Sequence, residues 1–260
     1  MTSEIWCGWD TIQGMKVLCR LLIQLTLFFG CLSSYAQQSD TRVALVLGNG
    51  AYKDLIKLEN PTNDARAISS QLAGLGFAVT TVENVNRPDL LKALEGFKQR
   101  AKESDLALIY YSGHGFAVDG EAYLIPVDAE ADSQSKLLIA GVGLRSVLDQ
   151  SVPSKKRLVL YDADIDNPFS SEGHKGSAPM RSVSETLIAY GTGGVAEDGH
   201  GSNGQFTAAL LAHLEDKQDI AVVLRAVREE VIRNTSGRQR PWVSDSLTGG
   251  PLLLPSTNAK

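Results

Sequence analysis

Four short, nearly uninterrupted apolar runs divide this chain: RVALVL (Arg42–Leu47), LALIYY (Leu106–Tyr111), RLVLY (Arg157–Tyr161) and ETLIAY (Glu185–Tyr190). Runs of this length without polar alternation are the mark of strands buried on both faces. Between them the spacing changes to that of helices. Asn60-Pro61-Thr62-Asn63-Asp64 offers a helix start, with Asp64 read as a cap, and Ala65, Ile68, Leu72 and Leu75 follow on one stripe. After a further strand at Phe77–Val82, the segment 88–102 places Leu90, Leu91, Leu94 and Phe97 together on a helix. Strands alternating with helices predict an α/β fold, a mostly parallel central sheet with helices on both faces.

The rest of the chain fits that scheme. Asp119-Gly120 predicts a tight hairpin between 115–117 and 122–125. Helices are expected at 144–150, 205–215 and 220–234, a polar loop at 164–182, a last strand at 241–247 and a tail at 251–254. With no internal repeat or linker, one domain at 41–254 is the simplest organisation.

Of the 260 residues 43% are hydrophobic and 21% charged, with a net charge of -5, so a folded protein is expected and nothing favours nucleic acid or an anionic membrane. The first forty residues differ. A basic stretch from Met15 to Arg20, an apolar core from Leu21 to Cys31 and the small-residue end Ser34-Tyr35-Ala36 have the layout of a signal peptide at 1–36, with Met15 as an alternative start. A secreted or periplasmic protein with no stable membrane span is expected; an uncleaved anchor and a lipoprotein cut before Cys31 are the alternatives. The cysteines are Cys7, Cys19 and Cys31, so cleavage after Ala36 leaves no thiol.

In parallel sheets reactive groups collect at the carboxyl ends of strands. There the chain has Ser112-Gly113-His114-Gly115 after the third strand and Asp162, Asp164 and Asp166 after the fourth. His114 is the best placed of four histidines; His174, His200 and His213 read as structural or solvated, and Trp242 as core or pocket wall.

The ordered set RVALVLGN, Asn63-Asp64-Ala65, YYSGHG, YLIPVD, Asp162-Ala163-x-x-x-Asn167-Pro168-Phe169, NGxFTxAL and GRQxPW resembles the bacterial caspase and metacaspase family of cysteine peptidases. The resemblance implies a caspase-like three-layer sandwich, with His114 as the histidine of the catalytic dyad. The family's cysteine nucleophile falls on Asp164, and its usual arginine on Ile165. An acid two residues before the nucleophile, here Asp162, would form a pocket for an Arg or Lys side chain of a peptide or protein partner.

Aspartate cannot replace the thiolate. With an ordinary pKa of about 3.9 it is ionised but weakly nucleophilic, and attack on an amide would leave an anhydride. Beside His114 it would instead hold an imidazolium, removing the base. The expectation is an exported pseudopeptidase that still binds peptide, without cofactor. Three other readings stand beside it. Asp162, Asp164 and Asp166, with His114, would make a divalent metal site, with calcium the candidate. Asp162 and Asp164 as nucleophile and general acid, with magnesium held by Glu197-Asp198, would make a dehalogenase-type phosphotransferase. Ser170 or Ser171 would serve a residual hydrolase.

Overall fold

The computed structural model describes residues 41–151, 154–163, 183–193 and 201–255. The chain separates into two compact units, residues 1–39 and 40–260, and all the described residues belong to the second. The leader expected at 1–36, Asp164, Asp166, Ser170, Ser171, His174, Glu197, Asp198 and His200 lie outside the described residues.

Arg42–Gly48 forms β1, followed by α1 (Pro61–Gly74), β2 (Ala78–Glu83), α2 (Arg87–Ala101) and β3 (Leu106–Ser112). A hairpin of β4 (Gly115–Val118) and β5 (Glu121–Leu124) leads through α3 (Gln134–Ala140) and β6 (Val142–Gly143) to α4 (Leu144–Ser151). Then come β7 (Lys156–Asp162), β8 (Thr186–Tyr190), α5 (Gln205–His213), α6 (Ile220–Asn234) and β9 (Trp242–Asp245). The main sheet has the order β2-β1-β3-β7-β8-β9, parallel except for β9 against β8. β4, β5 and β6 make a small antiparallel sheet.

The apolar runs are continuous because both faces are covered. Val43, Leu45 and Leu47 of β1, Ile109 and Tyr111 of β3, and Val159 and Tyr161 of β7 pack on one face with Leu90, Leu94 and Phe97 of α2 and Val147 of α4. Ala44, Val46, Leu108, Leu158 and Leu160 point the other way, onto Ile68 and Leu72 of α1, Phe206 and Leu210 of α5, and Val223, Val227 and Val231 of α6. Each strand residue therefore serves one of two cores, alternating with the period of the pleat. The three-layer α/β arrangement read from the sequence is the one found.

Several boundaries differ. α3 and β6 were not expected; α3 is one short helix, capped by Ser133, that buries only Leu137. The last strand stops at Asp245 because the Asp245 carboxylate takes the Leu247 amide at 2.9 Å and turns the chain. The tail is clasped to the start of α6: Ile220 N donates to Leu252 O, and Leu252 N to the Asp219 carboxylate, both at 2.8 Å. The hairpin turn has positive φ at Asp119 (52°) and Gly120 (79°), the conformation that an Asp-Gly pair favours.

Candidate functional site

At the carboxyl end of β3, Ser112 lies in register with Asp162 of β7, and His114 follows two residues on. The turn between them is tight. A Cβ on Gly113 would come within 2.7 Å of the Tyr52 hydroxyl and 2.9 Å of the Tyr111 hydroxyl, so only glycine lets the chain pass so close to both rings.

Those hydroxyls grip the His114 backbone. His114 N donates to the Tyr52 hydroxyl at 2.8 Å, and the Tyr111 hydroxyl donates to His114 O at 2.5 Å. Tyr111 also accepts from Ile125 N at 3.0 Å, while Tyr52 reaches Ile125 O at 3.2 Å. Burial pushes the Tyr111 hydroxyl up to about 12 and that of Tyr52 well above its ordinary value, so both stay neutral. On the ring, Nε2 lies 2.7 Å from Ile56 O. A carbonyl only accepts, so Nε2 carries a proton, and in the neutral ring Nδ1 keeps the lone pair. The Tyr52 ring packs against the imidazole with centroids 4.6 Å apart.

The second half of the site is acidic and buried. Asp162, 8% exposed at the end of β7, accepts from Thr207 Oγ1 of α5 at 2.6 Å. Asp64, 2% exposed, accepts from Ser112 Oγ at 3.1 Å, Asn203 Nδ2 at 2.9 Å and Gly204 N at 3.1 Å. Asp64 is therefore not the cap of its own helix. The N-cap of α1 is Asn60, without a side-chain bond, and Asp64 holds the start of α5 instead.

The two acids converge. An Oδ2 from each lies 3.6 Å from the point where a Gly204 side chain would begin. Tyr110 feels both: burial first, then the charges of Asp162 and Asp64, drive its hydroxyl well above its ordinary range. Two carboxylates so placed suit a cationic side chain, and the His114 ring at the same strand ends is of a kind able to transfer a proton.

Of the residues expected from sequence, the structure brings His114 and Asp162 to one end of the sheet. Asp164, with which His114 was to pair, and Asp166 lie outside the described residues. Among the described residues no group of three or more His, Cys, Asp or Glu is close enough to hold a metal ion. His213 sits between Asp216 at 3.2 Å and Glu230 at 2.8 Å, tying α5 to α6. Trp242 stacks on Tyr190 at 4.2 Å and is half-buried against the core.

Sequence reasoning missed Asp64 as a site residue, as well as Ser112, Asn203, Thr207, Tyr52 and Ile56. A signal existed for Asp64: it shares the stripe of Ile68 and Leu72, four and eight residues on, so an acid stands on the buried face of a helix.

The caspase-domain profile matches residues 41–250. The chain belongs to the caspase-domain family. Membership accounts for the three main-sheet strands that precede β7 and sets aside the dehalogenase reading of Asp162 and Asp164. Human mucosa-associated lymphoid tissue lymphoma translocation protein 1 is 24% identical to this caspase domain over 214 residues, 80% of this chain and 26% of that protein. Its mouse homolog is 24% identical over the same length, so the chain spans about a quarter of these relatives. The crystal structure of caspase-1 from Spodoptera frugiperda superposes with a TM-score of 0.65 at 17% identity, covering 87% of this chain and 94% of that one. That likeness is one of fold. No helix among the described residues is long and apolar enough to cross a membrane.

Proposed function

We propose that this caspase domain is an exported pseudopeptidase, which takes an Arg or Lys side chain of a peptide or protein partner between Asp64 and Asp162 and does not cleave it. The observation that carries the reading is the convergence of two buried carboxylates on Gly204 beside the end of β3. Two negative charges so placed repel each other and cost desolvation, which a bound guanidinium or ammonium group offsets. Loss of cleavage follows from the cysteines, which stand at positions 7, 19 and 31 only, and from Asp164 at the position of the family nucleophile. Export follows from the basic, apolar and small-residue succession at 15–36.

Fluorescence anisotropy with a labelled arginine peptide and its citrulline analogue tests the reading, because citrulline keeps the shape and removes the charge. The arginine peptide is expected to bind at least about tenfold tighter, as a charge-assisted contact should. The preference should be the same with and without calcium. Equal affinities would overturn the assignment.

A further inference from the structure

Asp162 is held by a chain of hydroxyls whose direction can be read. The Tyr110 and Thr207 hydroxyls lie 2.5 Å apart, and Thr207 Oγ1 lies 2.6 Å from Asp162 Oδ2. A carboxylate only accepts, so Thr207 gives its single proton to Asp162 and takes that of Tyr110. A threonine in the first turn of a helix more commonly turns its hydroxyl back to its own backbone. Here it crosses to the sheet.

Tyr110 and Thr207 are fully buried, and Asp162 is the one member of the chain with exposed surface. The other carboxylate oxygen has its own constraint: a Cβ on Gly191 would lie 2.8 Å from Oδ1. One oxygen is tethered and the other fits against a glycine, so the plane of the carboxylate is set before any ligand arrives. Burial and the two neighbouring carboxylates keep Tyr110 protonated, so it remains a donor.

We propose that Thr207 is a positioning residue, which orients the Asp162 carboxylate for a cationic side chain through a relay that starts at Tyr110. This rests on the assignment of Asp162 to basic-residue binding. Its value lies in preorganisation: a carboxylate already in place loses less freedom when the guanidinium docks.

The test is the ratio of arginine-peptide to citrulline-peptide affinity in four proteins, with a thermal melt for each. Wild type should prefer arginine; no preference would overturn the assignment of Asp162 and the relay with it. Thr207→Val, which keeps the shape, should weaken the arginine peptide by about 5- to 20-fold, less than the full worth of a bond to a charged group because the bond acts through Asp162, and leave the citrulline peptide unchanged. Thr207→Ser should restore the ratio to within about twofold, since it returns the donor. Tyr110→Phe should lower it by roughly two- to fourfold, because the relay weakens but its last bond survives. A ratio unchanged in Thr207→Val, or equal loss of both peptides without rescue by serine, would overturn the proposal. If Thr207→Val does not fold, an unchanged ratio in Tyr110→Phe overturns it and a lowered ratio with normal Thr207→Ser supports it.

Discussion

The two corners of the site are held by opposite means. At the end of β3, neutral tyrosine hydroxyls grip the backbone on both sides of His114 and leave its ring half-exposed. Under α5, hydroxyls and amides grip carboxylates that are nearly inaccessible. The first corner fixes the place of the imidazole through neutral hydroxyls. The second stores two negative charges that tie α5 to the sheet and also suit a cationic ligand. On the proposed reading both corners persist without a thiol nucleophile, because none of the contacts that hold them involves a cysteine.

That contrast is broken most strongly by restoring the nucleophile. Asp164→Cys should create cleavage of arginine peptides at least about a thousandfold over wild type, the order of magnitude that a covalent nucleophile contributes, and His114→Ala should remove it. Cleavage of the peptide is the measurement. Next in size is Asp162→Asn, which should lower arginine-peptide affinity by about 30- to 100-fold, or roughly 2–3 kcal/mol, in a binding titration. Its melting temperature should hold or rise, since a buried charge beside Asp64 is removed.

The histidine corner should respond the other way. Tyr111→Phe leaves the carbonyl of His114 and the amide of Ile125 short of a partner and should cost about 1–3 kcal/mol in denaturant unfolding, with little change in arginine affinity. The same tyrosine makes the fold alkali-sensitive. Its hydroxyl at about 12 when folded stands above the unfolded value of about 10, so its contribution is complete below pH 10 and is lost as pH rises through 12. The loss amounts to about 3 kcal/mol, which pH-dependent unfolding should show in wild type and show reduced in Tyr111→Phe. The smallest effect expected is for Trp242→Ala, roughly 1–2 kcal/mol, because the indole is only half-buried against Tyr190.

The layers were legible in the sequence because β1, β3, β7 and β8 are covered on both faces, and uninterrupted apolar runs such as VALVL have few other uses. α3 was not, since seven residues with one buried leucine carry no periodicity. His114 and Asp162 were legible as chemistry at strand ends. Asp64 was hidden by its position in the first turn of a helix, where an acid ordinarily serves the helix itself. Thr207 was hidden because its partners come from strands 45 and 97 residues away in sequence, which spacing does not reveal.

The central claim is that binding survives where cleavage does not, and mass spectrometry of the recovered peptide tests it. The chain from residue 37 onward is incubated with an arginine peptide at saturating concentration, with and without calcium, and the peptide is then recovered. The account predicts bound peptide returned intact. Peptide cut after arginine by the wild type, with the cut abolished in His114→Ala, would contradict it.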